Sequence, residues 1–264
     1  MVGVTLDPAG YAKLSREARS LLGIDLSMYR PAQVWRRVLG FASAKGLAGP
    51  DELMAKARVD RQLRQALMDM LTINVSEFFR NADAFEMLRR DYLGPVVQSQ
   101  PLTKVWSAGC SAGYEPYSIA IMAREAAPAA RIQIHATDLD ETILAVARAG
   151  QYIRNQMVGV SPARRARFFT PTPTGYEVRP EIRGLVTFAR HDLLRDPMRN
   201  GFDLIACRNV VIYFTDEAKL RLYRGFAAAL RPGGILFIGA TESILDARGA
   251  GLVPLRPGFY QRPG

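Results

Sequence analysis

From Lys104 onward, apolar strand-like stretches alternate with helix-like stretches, and this alternation constrains the fold more than any other feature. The strand candidates are K-V-W-S-A, I-Q-I-H-A-T-D, L-V-T-F-A-R-H-D, F-D-L-I-A-C-R-N and G-I-L-F-I-G-A. Helical stretches such as P-Y-S-I-A-I-M-A-R-E and D-E-T-I-L-A-V-A-R-A lie between them. The pattern predicts a parallel, doubly wound α/β sheet. The final stretch, L-V-P-L-R-P-G-F-Y-Q-R, is suited to a closing hairpin.

The residues before this alternation favour helices. Residues 11–22 have helical spacing, Pro31 suits the first turn of a second helix, and residues 51–71 predict one long helix. Residues 168–183, F-F-T-P-T-P-T-G-Y-E-V-R-P-E-I-R, show neither helical nor strand period. This stretch predicts a small β excursion from the main sheet.

Composition narrows the class of protein. A chain of 264 residues that is 48% hydrophobic can bury one large core, with or without a small satellite domain. We find neither a membrane-length apolar run nor the charge order of a signal peptide, and we expect a cytoplasmic protein without membrane insertion. Two cysteines and two histidines, outside metal-binding spacings, predict no metal site.

The formal net charge of +10 favours acidic partners but does not identify them. Nucleic acid, an acidic protein surface and an anionic membrane all fit such a charge. We see no basic platform interleaved with aromatic residues, which single-strand binders use.

The most informative motif is V-W-S-A-G-C-S-A-G-Y-E-P-Y-S, residues 105–118, which reads as a strand, a glycine turn and a helix start. It lacks the lysine of a P-loop, and Gly109 and Gly113 fit the dinucleotide fingerprint poorly. The carboxylate of Glu115 would repel a pyrophosphate. It suits a positively charged cofactor, and S-adenosylmethionine carries a sulfonium and an ammonium group.

Two further acids follow the next strands. Asp138 ends the second strand candidate, where an acid is placed to bind ribose hydroxyls. Asp192 follows the third strand candidate and could accept a hydrogen bond from an adenine amino group. The structural alternatives are a helix N-cap for Asp138 and a turn residue for Asp192.

Together these motifs resemble the CheR family of chemotaxis receptor methyltransferases. The resemblance covers nearly the whole chain and rests on I-N-V-S-E-F-F-R, G-C-S-A-G-Y-E-P-Y-S, A-T-D-L-D, C-R-N-V-V-I-Y-F and R-P-G-G-I-L-F-I-G-A-T-E-S, in that order. It implies a Rossmann-like S-adenosylmethionine methyltransferase sheet, an N-terminal helical domain and a small inserted β-subdomain. We expect the helical domain over residues 1–92, the methyltransferase domain over 93–264 and the β-subdomain near 168–189.

The resemblance also implies a reaction and a set of site residues. The reaction is methyl transfer from S-adenosylmethionine to glutamate side chains of chemoreceptors, with S-adenosylhomocysteine as product. The residues implied to contact the cofactor are Asn74, Ser76, Arg80, Gly109, Glu115, Asp138, Leu139, Asp192, Leu193, Arg208 and Asn209. Arg80 and Tyr213 are the implied catalytic residues, with Tyr213 near the methyl group.

The chain departs from the family pattern at two places. Tyr114 stands where the family often has a first acid in the glycine turn, although Glu115 keeps the second. Residues 170–176 form a short loop, whereas members that dock on a receptor's C-terminal pentapeptide tend to have a longer one. We therefore expect a member that does not depend on the pentapeptide. A monomer is the default expectation, since the sequence carries no signal of oligomeric state.

Three hypotheses concern mechanism and partners. A glutamate carboxylate is already a nucleophile at neutral pH, so the reaction needs alignment rather than a general base. Arg80 or Arg208 could hold a carboxylate of the cofactor or the acceptor, and the Tyr213 hydroxyl could orient the acceptor. The basic helix from Pro31 to Lys45 is either a solvated face or a docking surface for acidic receptor helices.

Two rival functions remain at this point. A nucleic-acid amino-methyltransferase usually carries an N-P-P-[YF]-like turn after the fourth strand, where this chain reads R-N-V-V-I-Y-F. A non-catalytic scaffold is the other rival. The presence of Glu115, Asp138 and Tyr213 argues against it.

Overall fold

The computed structural model describes residues 5–72, 76–239 and 242–264. The chain divides into two compact units, Met1–Asn74 with Val211–Lys219, and Val75–Val210 with Leu220–Gly264. Within the described residues, no helix is both long and apolar enough to cross a membrane.

The first unit contains four helices among its described residues: α1 (Pro8–Leu22), α2 (Pro31–Ala44), α3 (Pro50–Val59) and α4 (Arg61–Thr72). A proline opens each of the first three, as its fixed φ favours. The side chain of Asp7 caps α1 by accepting a hydrogen bond from Ala9 N, and Gly23 ends it with φ 73°. The buried core includes Leu14, Val38, Ala42, Leu53, Met54 and Leu67.

The prediction of one long helix over residues 51–71 is wrong. The helix stops at Asp60, whose backbone is extended with φ −97° and ψ 107°. The Asp60 carboxylate accepts hydrogen bonds from Gln62 N at 2.8 Å and Leu63 N at 3.0 Å. It therefore starts α4 as an N-cap, which the apolar spacing alone did not reveal.

A later segment returns to the first unit. It contains a 3₁₀ turn, Val211–Tyr213, and the start of α11 (Asp216–Ala229). Arg30 N donates to Tyr213 O at 2.8 Å, and Thr215 N donates to Met28 O at 2.9 Å. The Phe214 ring meets Tyr29 edge-on at 4.9 Å.

The second unit opens with α5 (Ala82–Met87), a π-helical turn (Leu88–Leu93) and α6 (Gly94–Ser99). Phe85 and Leu88 are buried in the same apolar cluster as the strands that follow. The two compact units divide at Asn74, and the domain boundary after residue 92 stays a prediction.

The rest of the second unit alternates strands and helices. In chain order these are β1 (Thr103–Ala108), α7 (Tyr114–Ala126), β2 (Ile132–Asp138), α8 (Glu141–Ala149), β3 (Gln151–Ile153), α9 (Pro162–Phe168), β4 (Phe169–Pro171), β5 (Gly175–Val178), α10 (Pro180–Arg183), β6 (Val186–Arg190), β7 (Phe202–Cys207), β8 (Leu230–Ile238), β9 (Val253–Arg256) and β10 (Phe259–Gln261). Helix α11 lies between β7 and β8.

Among the described residues, seven strands form the main sheet in the order β6-β2-β1-β7-β8-β10-β9. Strands β6, β2, β1, β7 and β8 are parallel, and β10 pairs antiparallel with β8 and β9. This confirms the predicted α/β sheet, including the closing hairpin. Its parallel strands bring their carboxyl ends to one edge, where open α/β sheets bind ligands.

A small antiparallel sheet, β3-β5-β4, lies outside the main sheet. Its strands span residues 151–178, so it begins before the region near 168–189 that the sequence suggested. Strand β6 belongs to the main sheet, because Thr187 pairs with His135 of β2.

Candidate active site

The glycine turn lies at the carboxyl end of β1 and is held against the end of β2. Gly109 N and Cys110 N donate to Thr137 O at 2.8 and 2.9 Å. Gly109 has φ +82° and Gly113 has φ +88°, a region that disfavours other residues. A Cβ atom at Gly109 would also lie 2.4 Å from Val210 Cγ2. The turn therefore requires glycine for two reasons, its backbone conformation and its close packing.

Asp138 links this turn to the loop after β2. Its Oδ2 accepts from Ser111 N at 2.7 Å and its Oδ1 accepts from Asp140 N at 3.1 Å. Burial raises the pKa of Asp138, and the backbone hydrogen bonds oppose that rise. The N-cap of α8 is Asp140, which accepts from Thr142 N at 2.8 Å. The N-cap alternative for Asp138 is therefore wrong, and its remaining lone pairs can accept from a ligand. Leu139, between the two acids, is half-buried.

Glu115 lies buried in the first turn of α7. Its Oε1 accepts a hydrogen bond from Ser107 Oγ at 2.8 Å, and its Oε2 lies 3.9 Å from Arg208 Nη1. Burial raises the pKa of Glu115, while Arg208 and the Ser107 hydrogen bond lower it. A buried carboxylate beside these glycines makes a poor phosphate site and a good site for a cation.

Arg208 follows β7 and is buried between two aromatic rings. Its guanidinium carbon lies 5.0 Å from the Phe85 ring centroid and 4.7 Å from that of Phe237. Its Nη2 donates to Arg80 O at 2.8 Å and to Asn81 Oδ1 at 2.9 Å. Burial lowers the pKa of Arg208, and Glu115 opposes that shift. The structure therefore brings Arg80 and Arg208 to one place, with Glu115 beside them.

The segment before Arg80 packs against α7 and the small sheet within the second unit. The Phe78 ring meets Tyr114, Tyr152 and Phe169 edge-on at 5.0, 4.9 and 5.4 Å. Phe79 N donates to Ser118 Oγ of α7 at 3.0 Å. Ser76 is half-buried at the start of this segment, and Asn74 lies outside the described residues.

Asp192 follows the strand next to β2 and shapes a turn. Its Oδ1 accepts from Leu194 N at 2.9 Å, and its Oδ2 lies 3.9 Å from Arg195 Nε. Asp192 therefore acts as a turn residue, which was the alternative to a role in ligand binding. Its carboxylate is nevertheless buried and keeps free lone pairs that can accept from a ligand. Leu193 is half-buried beside it.

Tyr213 belongs to the first unit. Its backbone forms part of the 3₁₀ turn described above, and the guanidinium carbon of Arg37 lies 4.8 Å from its ring centroid. The side chain is half-buried in that environment.

Sequence reasoning missed Glu242. Its Oε2 accepts from Gly239 N at 2.6 Å and from Asn209 N at 3.0 Å, and Asn209 has φ 60°. Glu242 therefore supports the left-handed turn directly after Arg208. It also raises the pKa of Glu115 by like-charge repulsion. An acid following a buried strand is the signal that singled out Asp138, and the same signal was available in the T-E-S of the last motif.

Three buried polar atoms around this edge have no hydrogen-bond partner within the described residues. They are Ser111 Oγ, Arg208 Nε and Glu242 Oε1. Unpaired buried polar groups carry a cost of about 1–3 kcal/mol each, which a polar ligand can relieve. Together with Glu115 and Asp138, they suit a ligand that carries hydroxyl, ammonium and carboxylate groups, as S-adenosylmethionine does.

Comparison with known proteins assigns this arrangement to a family. The protein-family model described as "CheR methyltransferase, SAM binding domain" matches residues 74–251 of this chain. A second family model, "CheR methyltransferase, all-alpha domain", matches residues 9–72. The chain belongs to the CheR methyltransferase family. It is therefore an S-adenosylmethionine-dependent methyltransferase, with the α/β sheet and the helical N-terminal region that the motifs implied.

Relatives of this CheR methyltransferase match it over most of their length. Proteins named "Chemotaxis protein methyltransferase" from Listeria innocua and Listeria monocytogenes are each 40% identical over 251 residues, which is 95% of this chain and 96% of theirs. A protein of the same name from Vibrio parahaemolyticus is 34% identical over 92% of each chain.

Proposed function

We propose that the protein transfers the methyl group of S-adenosylmethionine to glutamate side-chain carboxylates of chemoreceptors, releasing S-adenosylhomocysteine and leaving methyl esters. The observation that carries this proposal is the buried Glu115 carboxylate in the glycine turn, with Arg208 beside it. That pair suits a cationic amino-acid cofactor and disfavours a phosphate. The family assignment and the names of the relatives support the choice of acceptor.

The cofactor, when bound, supplies an electrophilic methyl group on a sulfonium. On this proposal, Glu115 attracts the cofactor's positive groups, and Asp138 with Leu139 holds its ribose. Asp192 with Leu193 contacts its adenine. The remaining proposed cofactor contacts are Gly109, Asn74, Ser76, Arg80, Arg208 and Asn209.

The chain's own task in this reaction is alignment. A glutamate acceptor is ionised at neutral pH, so the protein need not remove a proton. Arg80 and Arg208 supply two guanidinium groups at one edge of the sheet, and either can orient a carboxylate through paired hydrogen bonds. We propose Arg80 and Tyr213 as the catalytic residues, with the Tyr213 hydroxyl orienting the acceptor.

The proposal includes a docking surface on α2. Arg36 and Lys45 are exposed there, whereas Arg37 is half-buried against Tyr213 and bonds Met70 O. The docking surface therefore rests on Arg36 and Lys45. We further propose that the protein does not need a receptor pentapeptide, since β4 and β5 are joined by a short loop of residues 172–174. We also propose that it is a cytoplasmic monomer. The proposal includes the expected domain division, a helical domain over residues 1–92 and a methyltransferase domain over residues 93–264.

One labelling experiment tests the acceptor. The purified protein is incubated with methyl-labelled S-adenosylmethionine and either chemoreceptor cytoplasmic fragments or total RNA. Carboxyl methyl esters release methanol in alkali, whereas methylated bases do not. We expect alkali-labile label on the receptor fragment and none on RNA. Alkali-stable label on RNA alone would support a nucleic-acid methyltransferase instead. Cofactor binding without methyl transfer to either substrate would show that the proposed acceptor is wrong.

A further inference from the structure

One face of the main sheet is open to solvent over β2 and β6. Ile132, Ile134 and Ala136 of β2 point into the same apolar core as α7, so the alternate residues face the other way. On that other face Gln133 is exposed and His135 is half-buried. The neighbouring Thr187 of β6 is exposed as well, and its Oγ1 lies 3.5 Å from His135 Nδ1.

The face is open because the connection from β6 to β7 lacks a helix. Parallel strands are usually joined by a helix that packs on the sheet, but residues 191–201 contain none. This segment instead follows α11. A Cβ atom at Gly225 would lie 2.7 Å from Met198 Sδ, and Arg221 Nη2 donates to Leu194 O at 2.8 Å. It therefore leaves this part of β2 and β6 uncovered.

A cleft occupies this open face, and we call it the sheet-face cleft. Its lining consists of Lys104, Ile132, Gln133, Ile134, His135, Gly184, Leu185, Thr187, Arg199, Asn200 and Phe202. Lys104 and Arg199 are both exposed, and this lining, drawn from the described residues, contains no carboxylate. The nearby Asp203 is buried and accepts from Lys104 N while pairing with Arg231. The cleft therefore has a net positive charge.

The positive character continues beyond the sheet-face cleft. A neighbouring cleft shares Arg199 and Asn200 and adds Arg195 and Arg221. The single acid in its described lining, Asp196, accepts a hydrogen bond from Asp192 N at 2.8 Å. Burial, Arg199 and His191 lower the pKa of His135 to about 4, so its ring is neutral at pH 7. Lysine and arginine side chains therefore carry the charge of both clefts.

We propose that the sheet-face cleft docks a carboxylate-rich segment of the chemoreceptor, distinct from the glutamate that is methylated. This inference rests on the proposed function, because that function makes the partner an acidic protein. Charge complementarity selects the occupant, and Gln133, Thr187 and Asn200 supply hydrogen-bonding groups for carboxylates. Contact with such a surface steers association more than it changes the chemical step.

Other occupants fit this lining less well. Proteins that bind single-stranded nucleic acid stack its bases on exposed aromatic rings, whereas Phe202 is only 5% exposed. A second copy of the chain needs a self-complementary patch, whereas the charged residues of this lining, Lys104 and Arg199, are both basic. A permanently packed helix needs an apolar face, whereas β2 alternates polar and apolar residues here.

The first test is a pair of charge reversals, Arg199→Glu and Arg248→Glu. Both arginines are exposed, and Arg248 lies outside the linings of both clefts. Receptor-fragment binding is measured by anisotropy at two salt concentrations, with methyl-ester formation and S-adenosylmethionine binding alongside. We expect Arg199→Glu to raise the receptor Kd about 3- to 10-fold at low salt, with a smaller effect at high salt because the charges are screened. Cofactor Kd and kcat stay unchanged, and Arg248→Glu stays within about twofold of native.

The second test uses the two histidines of the chain as spectroscopic probes. The receptor fragment is titrated into protein labelled at histidine. We expect the His135 ring signals to shift or broaden in the native protein and in Arg248→Glu, and to respond less in Arg199→Glu. This readout reports on the sheet-face cleft independently of turnover.

The outcomes separate the two proposals. If native protein forms no methyl esters on the fragment, the proposed function fails. If it forms them and Arg199→Glu binds the fragment as Arg248→Glu does, the docking inference alone is overturned. The docking inference would also be overturned if total RNA, but not the receptor fragment, shifted the His135 ring signals. A native dimer that dissociates in Arg199→Glu would overturn it as well.

Discussion

The most consequential individual residues are charged side chains that lie buried or half-buried near the carboxyl ends of the strands. Glu115 and Arg208 shift each other's pKa values by their opposite charges, and the Glu242 carboxylate raises the pKa of both. Burying charges is costly unless they are paired or bind a charged ligand. We therefore expect this group to be optimised for the cofactor rather than for stability.

Replacing Glu115 with glutamine tests the cation site. The glutamine side chain can still accept from Ser107 Oγ, but it no longer carries charge. We expect S-adenosylmethionine binding to weaken about 10- to 100-fold, the loss of one charge-assisted contact of about 1.5–3 kcal/mol. Isothermal titration measures this, with Glu181→Gln as the control at an exposed glutamate. Native affinity in Glu115→Gln would exclude the charge as the determinant.

The same residue predicts a pH dependence of cofactor binding. Burial raises the pKa of Glu115, so its carboxylate takes up a proton at a higher pH than an ordinary glutamate does. Since the ionised form attracts the cofactor, native affinity should fall on acidification, beginning above the ordinary glutamate range. This acid limb should be missing in Glu115→Gln. An identical limb in both proteins would assign the titration to another group.

We expect Glu242 to act as a positioning residue. Two substitutions distinguish its role as a hydrogen-bond acceptor from the effect of its negative charge. Glu242→Ala removes the acceptor of two partly buried donors, Gly239 N and Asn209 N, so urea unfolding should show a loss of stability of about 1–3 kcal/mol. Glu242→Gln keeps an oxygen acceptor and should retain most of that stability. It removes a like charge near Glu115, so the acid limb of cofactor binding should move to lower pH. An unmoved limb would leave Glu242 a purely structural role.

At the scale of elements, the glycine turn between β1 and α7 combines two constraints. In Gly109→Ala, the alanine has to adopt the left-handed backbone of φ +82°, and its Cβ lies 2.4 Å from Val210 Cγ2. Gly201→Ala is the matched control, since φ is +84° and no atom lies within 4 Å of the added Cβ. Gly201→Ala should cost about 1–2 kcal/mol from strain alone. Gly109→Ala should cost more and weaken cofactor binding, and equal losses of stability would show that the Val210 contact relaxes freely.

Helix α2 carries two adjacent arginines, one exposed and one packed within the first unit. Arg36 is exposed, whereas Arg37 bonds Met70 O and lies over the Tyr213 ring. We expect Arg37→Glu to lower the unfolding free energy by about 1–3 kcal/mol through the lost hydrogen bond. Arg36→Glu should change it by less than about 0.5 kcal/mol, as exposed substitutions usually do. Urea unfolding distinguishes them, and equal stability of the two variants would contradict this assignment.

At the scale of the whole molecule, the net charge of +10 should govern encounter with the receptor. Exposed charges steer association, and salt screens them over roughly 8 Å at physiological ionic strength. The kcat/KM for receptor methylation should therefore fall as salt rises, while S-adenosylmethionine Kd, set by buried groups, changes little. Arg36→Glu should lower the low-salt kcat/KM and flatten this dependence. A salt-independent kcat/KM would exclude steering.

Much of the sheet was predictable because hydrophobic period depends on neighbouring residues alone. The alternation after Lys104 predicted β1, β2, β6, β7 and β8 in chain order, and the acids that follow them predicted one ligand edge. The break at Asp60 was missed because a capping side chain interrupts helices whose apolar spacing continues across it. The start of the small sheet at Gln151 was missed because three-residue strands carry too little pattern.

The sequence by itself determined the class of sheet, the glycine turn and the family, since each depends on residue types at short spacings along the chain. Only the tertiary structure decided which charges meet. Arg80, Glu115, Arg208 and Glu242 come from four separate segments, and their pairing and burial depend on strand order rather than on spacing. The open face over β2 and β6 is likewise a property of the assembled sheet, because it exists only where residues 191–201 pass by without covering it.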